Sequence, residues 1–145
     1  MARGRAGTCY IGEPAAHLSL GPDGVCRLIQ DSPSALRNRT VDALFCSLAA
    51  YARRRVIGIV LSGSLNDGSL GFVAIKTAAG TTMALAATGS ESGMPENAVA
   101  SCGEVDVIGA PDEIARAVMR QIGGTPRRSP TLMKDTSDRI FDISP

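Results

Sequence analysis

An apolar run ends abruptly in a small polar loop at Val56-Ile57-Gly58-Ile59-Val60-Leu61-Ser62-Gly63-Ser64-Leu65-Asn66-Asp67-Gly68. The run at 56–61 predicts a buried strand, and apolar residues at helical spacing from Leu70 to Ile75 predict a helix directly after the loop. Asp67, the only acid of the loop, therefore lies where a strand ends and a helix begins. In α/β proteins with parallel sheets, ligands and catalytic groups gather at this carboxyl edge.

The residues before this loop predict a strand, a hairpin and a helix. Two segments with a period of two, at 17–20 and 25–29, flank the turn sequence Gly21-Pro22-Asp23-Gly24 and predict a β-hairpin after a first strand at 8–11. Apolar residues at helical spacing then run from Val41 to Ala52, and Thr40 is the expected N-cap of that helix.

The residues after the loop continue the alternation of helices and strands. A helix at about 70–79 with Gly80 as its C-cap leads to a strand at 81–86, a short helix at 95–101, a strand at 105–108 and a helix at 111–122. We expect an α/β fold, the C-terminal part of a doubly wound, mainly parallel sheet with a hairpin, in three α/β/α layers. The polar composition of 124–145 predicts a disordered tail, which leaves residues 1–123 as the domain.

Composition argues against several classes of function. The 145 residues suffice for one domain, and 15 basic residues against 14 acidic ones give no electrostatic field to hold nucleic acid. No apolar run approaches the ~20 residues that cross a bilayer, so we expect a cytoplasmic protein without membrane insertion. Four widely spaced cysteines and one histidine predict reduced, mostly buried thiols, and neither a metal site nor a cofactor is expected.

Four elements of the sequence, collinear over roughly residues 8–123, resemble the catalytic domain of the CheB-type protein-glutamate methylesterases of bacterial chemotaxis. The first is the Tyr-x-x-Pro-x-x-x-His-Leu segment at 10–18, and the second is the Arg-x-Arg element at 37–39 followed by Val-Asp-x-Leu-Phe at 41–45. The third is the loop at 61–68, which is similar to the signature Leu-Thr-Gly-Met-Gly-x-Asp-Gly. The fourth is Gly-Met-Pro at 93–95.

The resemblance implies hydrolysis of glutamate methyl esters on methylated chemoreceptors in two-component signalling, with deamidation of glutamine in some members. The family uses a Ser-His-Asp triad without a cofactor, and Asp67 occupies the position of the triad acid. A methyltransferase or a receiver domain is a further implied partner. The remaining residues expected at the active-site loop and rim are Gly63, Ser64, Asn66, Gly68 and Met94.

The sequence also departs from the family pattern. The family's serine and histidine precede the matched segments, and the sequence contains no Gly-x-Ser-x-Gly turn. We therefore expect a truncated or degenerate copy that carries one triad member and has little hydrolytic activity. Ser64 and Leu65 replace the signature's Met and Gly, and a leucine held at positive φ there would be strained by about 1–3 kcal/mol.

Other interpretations of the same residues stay open at this point. Without the family resemblance, Asn66-Asp67-Gly68 before a helix favours a cap or turn role for Asp67. His17 is interpreted as a histidine beside the hairpin, because a catalytic role would require it to reach Asp67 and a serine such as Ser62 or Ser64. Met94 is also compatible with a core position.

The basic residues and the whole domain have alternatives too. Arg37 and Arg39 could contact acidic groups of a receptor, and the plainer interpretation is a solvated loop. The alternative function is a non-catalytic interaction module that binds a receptor, a methyltransferase or a complementary half-domain.

Overall fold

The structure, a computed structural model, describes residues 2–3, 7–12, 16–29, 39–52, 54–63, 66–87, 93–123 and 140–142. Side chains are described for all of these except 2–3 and 140–142. The described residues form short strands and four helices. In chain order they are β1 (Ala2–Arg3), β2 (Thr8–Tyr10), β3 (His17–Leu20), β4 (Val25–Ile29), α1 (Thr40–Tyr51), β5 (Ile57–Val60), α2 (Ser69–Thr77), β6 (Thr81–Leu85), α3 (Met94–Cys102), β7 (Val107–Gly109), α4 (Pro111–Gln121) and β8 (Ile140–Asp142).

The centre of the fold is a parallel sheet in the order β5-β6-β7, with Val60 opposite Ala84 and Met83 opposite Val107. Adjacent β6 residues face opposite sides of this sheet. Ala84 joins one core cluster with residues of α1, α2 and α3, whereas Met83 joins a second cluster with residues of α4. Helices therefore cover both faces, and the predicted three-layer α/β/α fold is confirmed.

Helices α1 and α2 pack closely beside β5. The rings of Phe45 and Phe72 stack with centroids 6.0 Å apart and planes 6° from parallel. A Cβ atom at Gly71 would lie 2.5 Å from Cβ of Phe45, so only glycine permits this approach of the two helices. This packing brings the first turns of α1 and α2 together near the end of β5.

The predicted hairpin is also present. Strands β3 and β4 pair antiparallel, with His17 opposite Ile29, and the turn between them closes with a bond from the N–H of Gly24 to the carbonyl of Gly21 (2.9 Å). The N–H of Leu20 donates to the hydroxyl of Ser47 (2.9 Å), which fixes the hairpin to α1. Strand β1 adds to β4 as a third strand that the sequence pattern did not indicate.

One further strand lies in the segment 124–145, whose assignment as a tail stays a prediction. Ile140–Asp142 form β8, which pairs antiparallel with β2, because a strand edge offers unpaired backbone groups that an apolar segment can satisfy. The other residues of the predicted tail, 124–139 and 143–145, lie outside the described residues.

Both expected caps were misplaced. Thr40 is the first residue of α1 and Arg39 is its N-cap, without a side-chain bond to the backbone amides of the helix. Helix α2 ends at the C-cap Ala78, and Ala79 takes the left-handed conformation (φ 56°). Gly80 follows, where a Cβ would lie 2.6 Å from Cγ2 of Ile75, so close packing rather than positive φ requires the glycine.

All four cysteines are free, as expected. Cys9 and Cys46 are exposed and Cys26 and Cys102 are only partly buried, so the expectation that most thiols are buried was wrong. Among the helices that the structure describes, none is long and apolar enough to cross a membrane.

Candidate functional site

Asp67 lies in the loop between β5 and α2 and is 7% exposed. Its carboxylate accepts bonds from the start of α1. The backbone N–H of Asp42 donates to Oδ1 (2.8 Å), the N–H of Val41 donates to Oδ2 (3.0 Å), and the hydroxyl of Thr40 lies 3.3 Å from Oδ2. Asp67 therefore does for α1 what an N-cap side chain does for its own helix.

The physical reason for this arrangement is the exposed amide end of α1. The first amides of a helix have no partner within the helix, and Arg39, the N-cap of α1, supplies none. The carboxylate of Asp67 satisfies two of these amides, and the helix dipole favours a negative charge at that end. A carboxylate offers about four acceptor positions, so the three donors leave room for one further N–H.

Asp42 makes the reciprocal contact and is 4% exposed. Its Oδ1 accepts the N–H of Gly71 in the first turn of α2 (2.8 Å), and its Oδ2 lies 3.2 Å from a guanidinium nitrogen of Arg39. Helix α2 likewise lacks a cap side chain of its own, since its N-cap is Gly68. Each helix thus receives its cap from a carboxylate at the start of the other.

The two carboxylates differ in their charge partners. Asp42 forms an ion pair with Arg39. Within the part of the chain that the structure describes, Asp67 is held by neutral N–H and O–H donors and forms no ion pair with lysine or arginine. Its negative charge is therefore left without a cationic partner there.

Gly68 is fixed by backbone conformation. Its φ of 93° lies in the left-handed region, which L side chains rarely adopt, and a Cβ there would lie 3.2 Å from Cγ1 of Val41. The glycine therefore allows the chain to turn from Asp67 into α2 while the start of α1 packs against it.

Gly63 and Met94 are in contact, so the segments after β5 and β6 meet at one end of the sheet. The N–H of Met94 donates to the carbonyl of Gly63 (3.0 Å), and a Cβ on Gly63, whose φ is 138°, would lie 2.8 Å from Cε of Met94. Met94 also packs against the first core cluster, so it has a core role in any case. Asn66 is exposed, and its carbonyl accepts the N–H of Ser69 (3.3 Å). Ser64 lies outside the described residues, as does Leu65.

His17 does not join this constellation. It lies in β3, and its Nδ1 is buried without a hydrogen-bond partner among the described residues. No hydrogen bond joins His17 to Asp67 within those residues. Ser62 is exposed in the loop after β5.

A cleft of about 340 Å³ opens beside the start of α1. Thr40 and Val41, which both bind Asp67, form part of its wall. The lining is mainly apolar and also includes Tyr10, Gly12, Ala16, Leu18 and Leu44. No cluster of three or more His, Cys, Asp or Glu side chains that could hold a metal ion occurs among the residues described here.

Comparison with known proteins assigns the chain to a family. The sequence model of the CheB methylesterase family matches residues 2–118. The chain belongs to the CheB methylesterase family. Two similar CheB relatives are both named protein-glutamate methylesterase/protein-glutamine glutaminase. The relative from Geobacillus kaustophilus is 37% identical over 123 residues, which cover 81% of this chain and 35% of the relative. The relative from Burkholderia thailandensis is 36% identical over 108 residues, which cover 72% of this chain and 30% of the relative. The chain thus spans about a third of the length of such relatives.

A solved structure supports the same fold. The catalytic domain of the Thermotoga maritima CheB methylesterase superposes with a TM-score of 0.63 at 21% identity, covering 74% of this chain and 59% of that one. At this identity the likeness establishes the fold, and the predicted resemblance to the CheB family is confirmed by the family match.

The sequence singled out Asp67 as the candidate acid but not the groups that hold it. Thr40, Val41 and Asp42 were not expected to bind Asp67. Backbone N–H groups carry no sequence signature, so the available signal was the Val41-Asp42 pair at the start of the predicted helix.

Proposed function

We propose that this chain carries the acid of a protein-glutamate methylesterase active site, with Asp67 as the acid of a Ser-His-Asp triad. The observation that carries the proposal is the setting of Asp67, which is buried at the end of a parallel strand and fixed by two backbone amides. Its charge has no cationic partner among the described residues. A triad acid needs this combination, because it must orient an imidazole and stabilise the imidazolium.

The reaction assigns a clear task to each of these groups. A serine attacks the ester carbonyl of a methylated glutamate side chain, methanol leaves, and water hydrolyses the acyl-enzyme. Asp67 accepts the N–H of the catalytic imidazole and thereby holds the tautomer that can take the serine proton. The amides of Val41 and Asp42 keep the plane of the carboxylate fixed while the positive charge develops on the ring.

The substrate in this proposal is a methylated chemoreceptor, and glutamine side chains are a second possible substrate class. The relatives' names, which pair methylesterase with glutaminase, support both. An ester and a primary amide present the same carbonyl to the serine, and methanol or ammonia leaves. A receiver domain or a methyltransferase remains a proposed partner, and a cytoplasmic location remains part of the proposal.

The serine and the histidine are supplied, in this proposal, by a segment with a Gly-x-Ser-x-Gly turn. No such turn occurs in the sequence, and the only histidine, His17, makes no described bond to Asp67. We therefore expect the 145 residues alone to have little hydrolytic activity.

The test measures methanol release from a methyl-esterified chemoreceptor. The chain is assayed alone and mixed with a separately produced segment of a curated relative that contains the Gly-x-Ser-x-Gly turn. We expect release only in the mixture, and a loss on the order of ten-thousand-fold when the chain carries Asp67→Asn. Asp106→Asn is the matched control, since Asp106 also accepts a backbone amide (2.8 Å) and should leave the rate unchanged.

One outcome would overturn the proposal, and a second would overturn its claim that the serine and the histidine come from another segment. Release that is unaffected by Asp67→Asn in the mixture would remove Asp67 from the triad. Release by the chain alone that vanishes in Asp67→Asn would instead mean that the chain assembles its own nucleophile and base, with Ser62 or Ser64 and His17 as the candidates.

A non-catalytic interaction module is the second candidate, and an unpaired strand edge favours it. In the described sheet, β5 is an edge strand, and Leu61 directly after it is 49% exposed. Exposed strand edges are templates for pairing with another chain. Stable binding of the complementary segment, a receptor or a methyltransferase without any methanol release would support the module over the enzyme.

A further inference from the structure

We infer that Asp42 is a positioning residue for Asp67, an inference that rests on the proposed function. Asp42 makes two buried contacts with the segment that carries the acid. Its N–H donates to Oδ1 of Asp67 (2.8 Å), and its carboxylate accepts the N–H of Gly71 (2.8 Å). A single residue of α1 thus holds the segment from Asp67 to Gly71 at both of its ends.

The contacts of Asp67 explain why this matters. The described bonds to its carboxylate come from Thr40, Val41 and Asp42 in the first turn of α1, so the orientation of the acid follows the position of that turn. The side-chain bond from Asp42 to α2 fixes the same turn relative to the loop. Without it, the described hydrogen bonds between α1 and the loop near the acid would be those of Asp67 alone.

The buried bond to Gly71, not the ion pair with Arg39, carries this role. The Arg39 side chain is 35% exposed and lies 3.2 Å from the carboxylate of Asp42, an ion pair of the partly solvated kind that contributes little. The bond to Gly71 lies between two helix ends from which water is excluded, since Asp42 and Gly71 are both buried. An unpaired amide in such a place is costly, so the two helix ends are held in register.

The test compares Asp42→Ala with Asp42→Asn by amide hydrogen exchange in the full chain. Asp42→Ala should raise the exchange rates of the amides at 41, 42 and 71 by about tenfold or more, because the first turns of α1 and α2 open together. Asp42→Asn keeps an oxygen for the Gly71 amide, and its rates should stay within about threefold of the native values.

The matched control is Asp106→Ala, which removes a carboxylate that accepts a backbone amide, that of Thr82, elsewhere in the fold. It should raise the exchange rate at Thr82 and leave the amides at 41 and 42 unchanged. An unchanged rate at Thr82 in the Asp42 variants in turn shows that they are folded. Should Asp42→Ala unfold, Asp42→Ser gives the same comparison with a shorter polar side chain.

The second measurement uses the reconstituted esterase. Asp42→Ala should lower kcat by about a hundredfold with KM unchanged, since a misplaced catalytic group costs turnover rather than binding, and Asp42→Asn should restore the rate. Faster exchange at Gly71 alone, or native kcat in Asp42→Ala, would overturn the inference. If the native chain releases no methanol in any mixture, the proposed function fails, while the exchange rates at 41 and 42 still decide whether Asp42 holds the segment of Asp67.

Discussion

Asp67 and Asp106 lie at opposite ends of the parallel sheet and both accept a backbone amide, yet their surroundings differ. Asp67 follows β5 and is 7% exposed, whereas the side chain of Asp106, just before β7, is 36% exposed. Asp106 accepts the N–H of Thr82 (2.8 Å) and pairs with the ammonium of Lys76 (2.9 Å). The described partners of Asp67 are all neutral.

The difference separates a structural carboxylate from a candidate catalytic one. Capping a backbone amide is common to both, so it does not identify function. The charge of Asp106 is neutralised by a lysine and by solvent, and nothing remains for it to stabilise. The charge of Asp67 is buried and held only by dipoles, a setting in which a new cation such as an imidazolium gains the most.

The largest expected effect on stability comes from removing the carboxylate of Asp67, with removal of that of Asp106 as the comparison. Asp67→Ala should lower the free energy of unfolding by about 2–3 kcal/mol, because two amides of α1 lose their acceptor in a buried place. Asp106→Ala should cost about 1 kcal/mol or less, because water can replace it. Urea unfolding of both variants at neutral pH measures the difference. Equal losses would mean that burial does not distinguish the two aspartates.

The second effect concerns the glycine beside Asp67. Gly68 (φ 93°) and Gly103 (φ 73°) both have left-handed backbone, but a Cβ at Gly68 would meet Val41 at 3.2 Å, and one at Gly103 would meet nothing within 4 Å. Both alanine variants should lose about 1–2 kcal/mol through backbone strain, and Gly68→Ala about 1 kcal/mol more through overpacking. Chemical unfolding of the two variants measures this additional loss of stability in Gly68→Ala.

Methanol release tests whether the additional loss of stability in Gly68→Ala also disturbs Asp67. Because Val41 also binds Asp67, Gly68→Ala should reduce methanol release by the reconstituted esterase beyond any effect of Gly103→Ala. Equal effects of the two variants on stability and rate would show that the start of α1 yields to the added methyl group without disturbing the acid.

The third effect is the pH dependence of the contribution of Asp106. Burial raises the pKa of this carboxyl, but hydrogen bonds from Thr82 and Lys76 outweigh it, and the pKa lies below its usual value of 3.8. A lowered pKa in the folded state means that Asp106 stabilises the fold above its unfolded pKa and loses that effect as pH falls through the folded pKa.

Asp106→Asn measures this contribution. The variant should be less stable than the native chain by up to about 1 kcal/mol near pH 7, and the difference should shrink as the pH is lowered below about 4. Urea unfolding of both proteins across that range provides the measurement. A difference that does not change with pH would mean that the charge of Asp106 contributes nothing and that only its hydrogen bonds count.

The sequence predicted the central layers of the fold because their signals are long and regular. The apolar run before Asp67 marked β5, and the spacing of Ile114 and Val118 marked the face of α4 that packs on the second core cluster. The pairings of β1 with β4 and of β2 with β8 were missed because β1, β2 and β8 have only two or three residues, too few for a period to appear.

The position of the candidate site could be predicted from the sequence, but the hydrogen bonds that hold Asp67 could not. Asp67 could be located because the end of a parallel strand defines a position from the sequence alone. Its partners lie 25 to 27 residues earlier and two of them are backbone amides, so their approach depends on how α1 packs on α2. The catalytic role of Asp67 and the rim roles of Gly63, Ser64, Asn66, Gly68 and Met94 stay predictions.

The smallest expected effect lies where α2 leads into β6, toward Thr82 and the Asp106 end of the sheet. Ala79 holds a left-handed φ of 56°, and the two bonds that close the helix, from Ala79 to Lys76 (2.9 Å) and from Gly80 to Ile75 (2.8 Å), require that conformation. Ala79→Gly relieves a strain of about 1–2 kcal/mol and costs about 0.5–1 kcal/mol in chain entropy, so unfolding should become about 0.5 kcal/mol less favourable.

Ala78→Gly is the matched control for this gain, because Ala78 has a φ of −82° that any residue adopts. That variant should lose stability through entropy alone, so the two glycines should shift the unfolding midpoint in opposite directions. Shifts of the same sign would show that Ala79 is not strained. Neither residue touches Asp67 or the start of α1 in the described bonds. Both variants should therefore leave methanol release by the reconstituted esterase unchanged. The activity effects expected above are then confined to the end of the sheet that carries the acid.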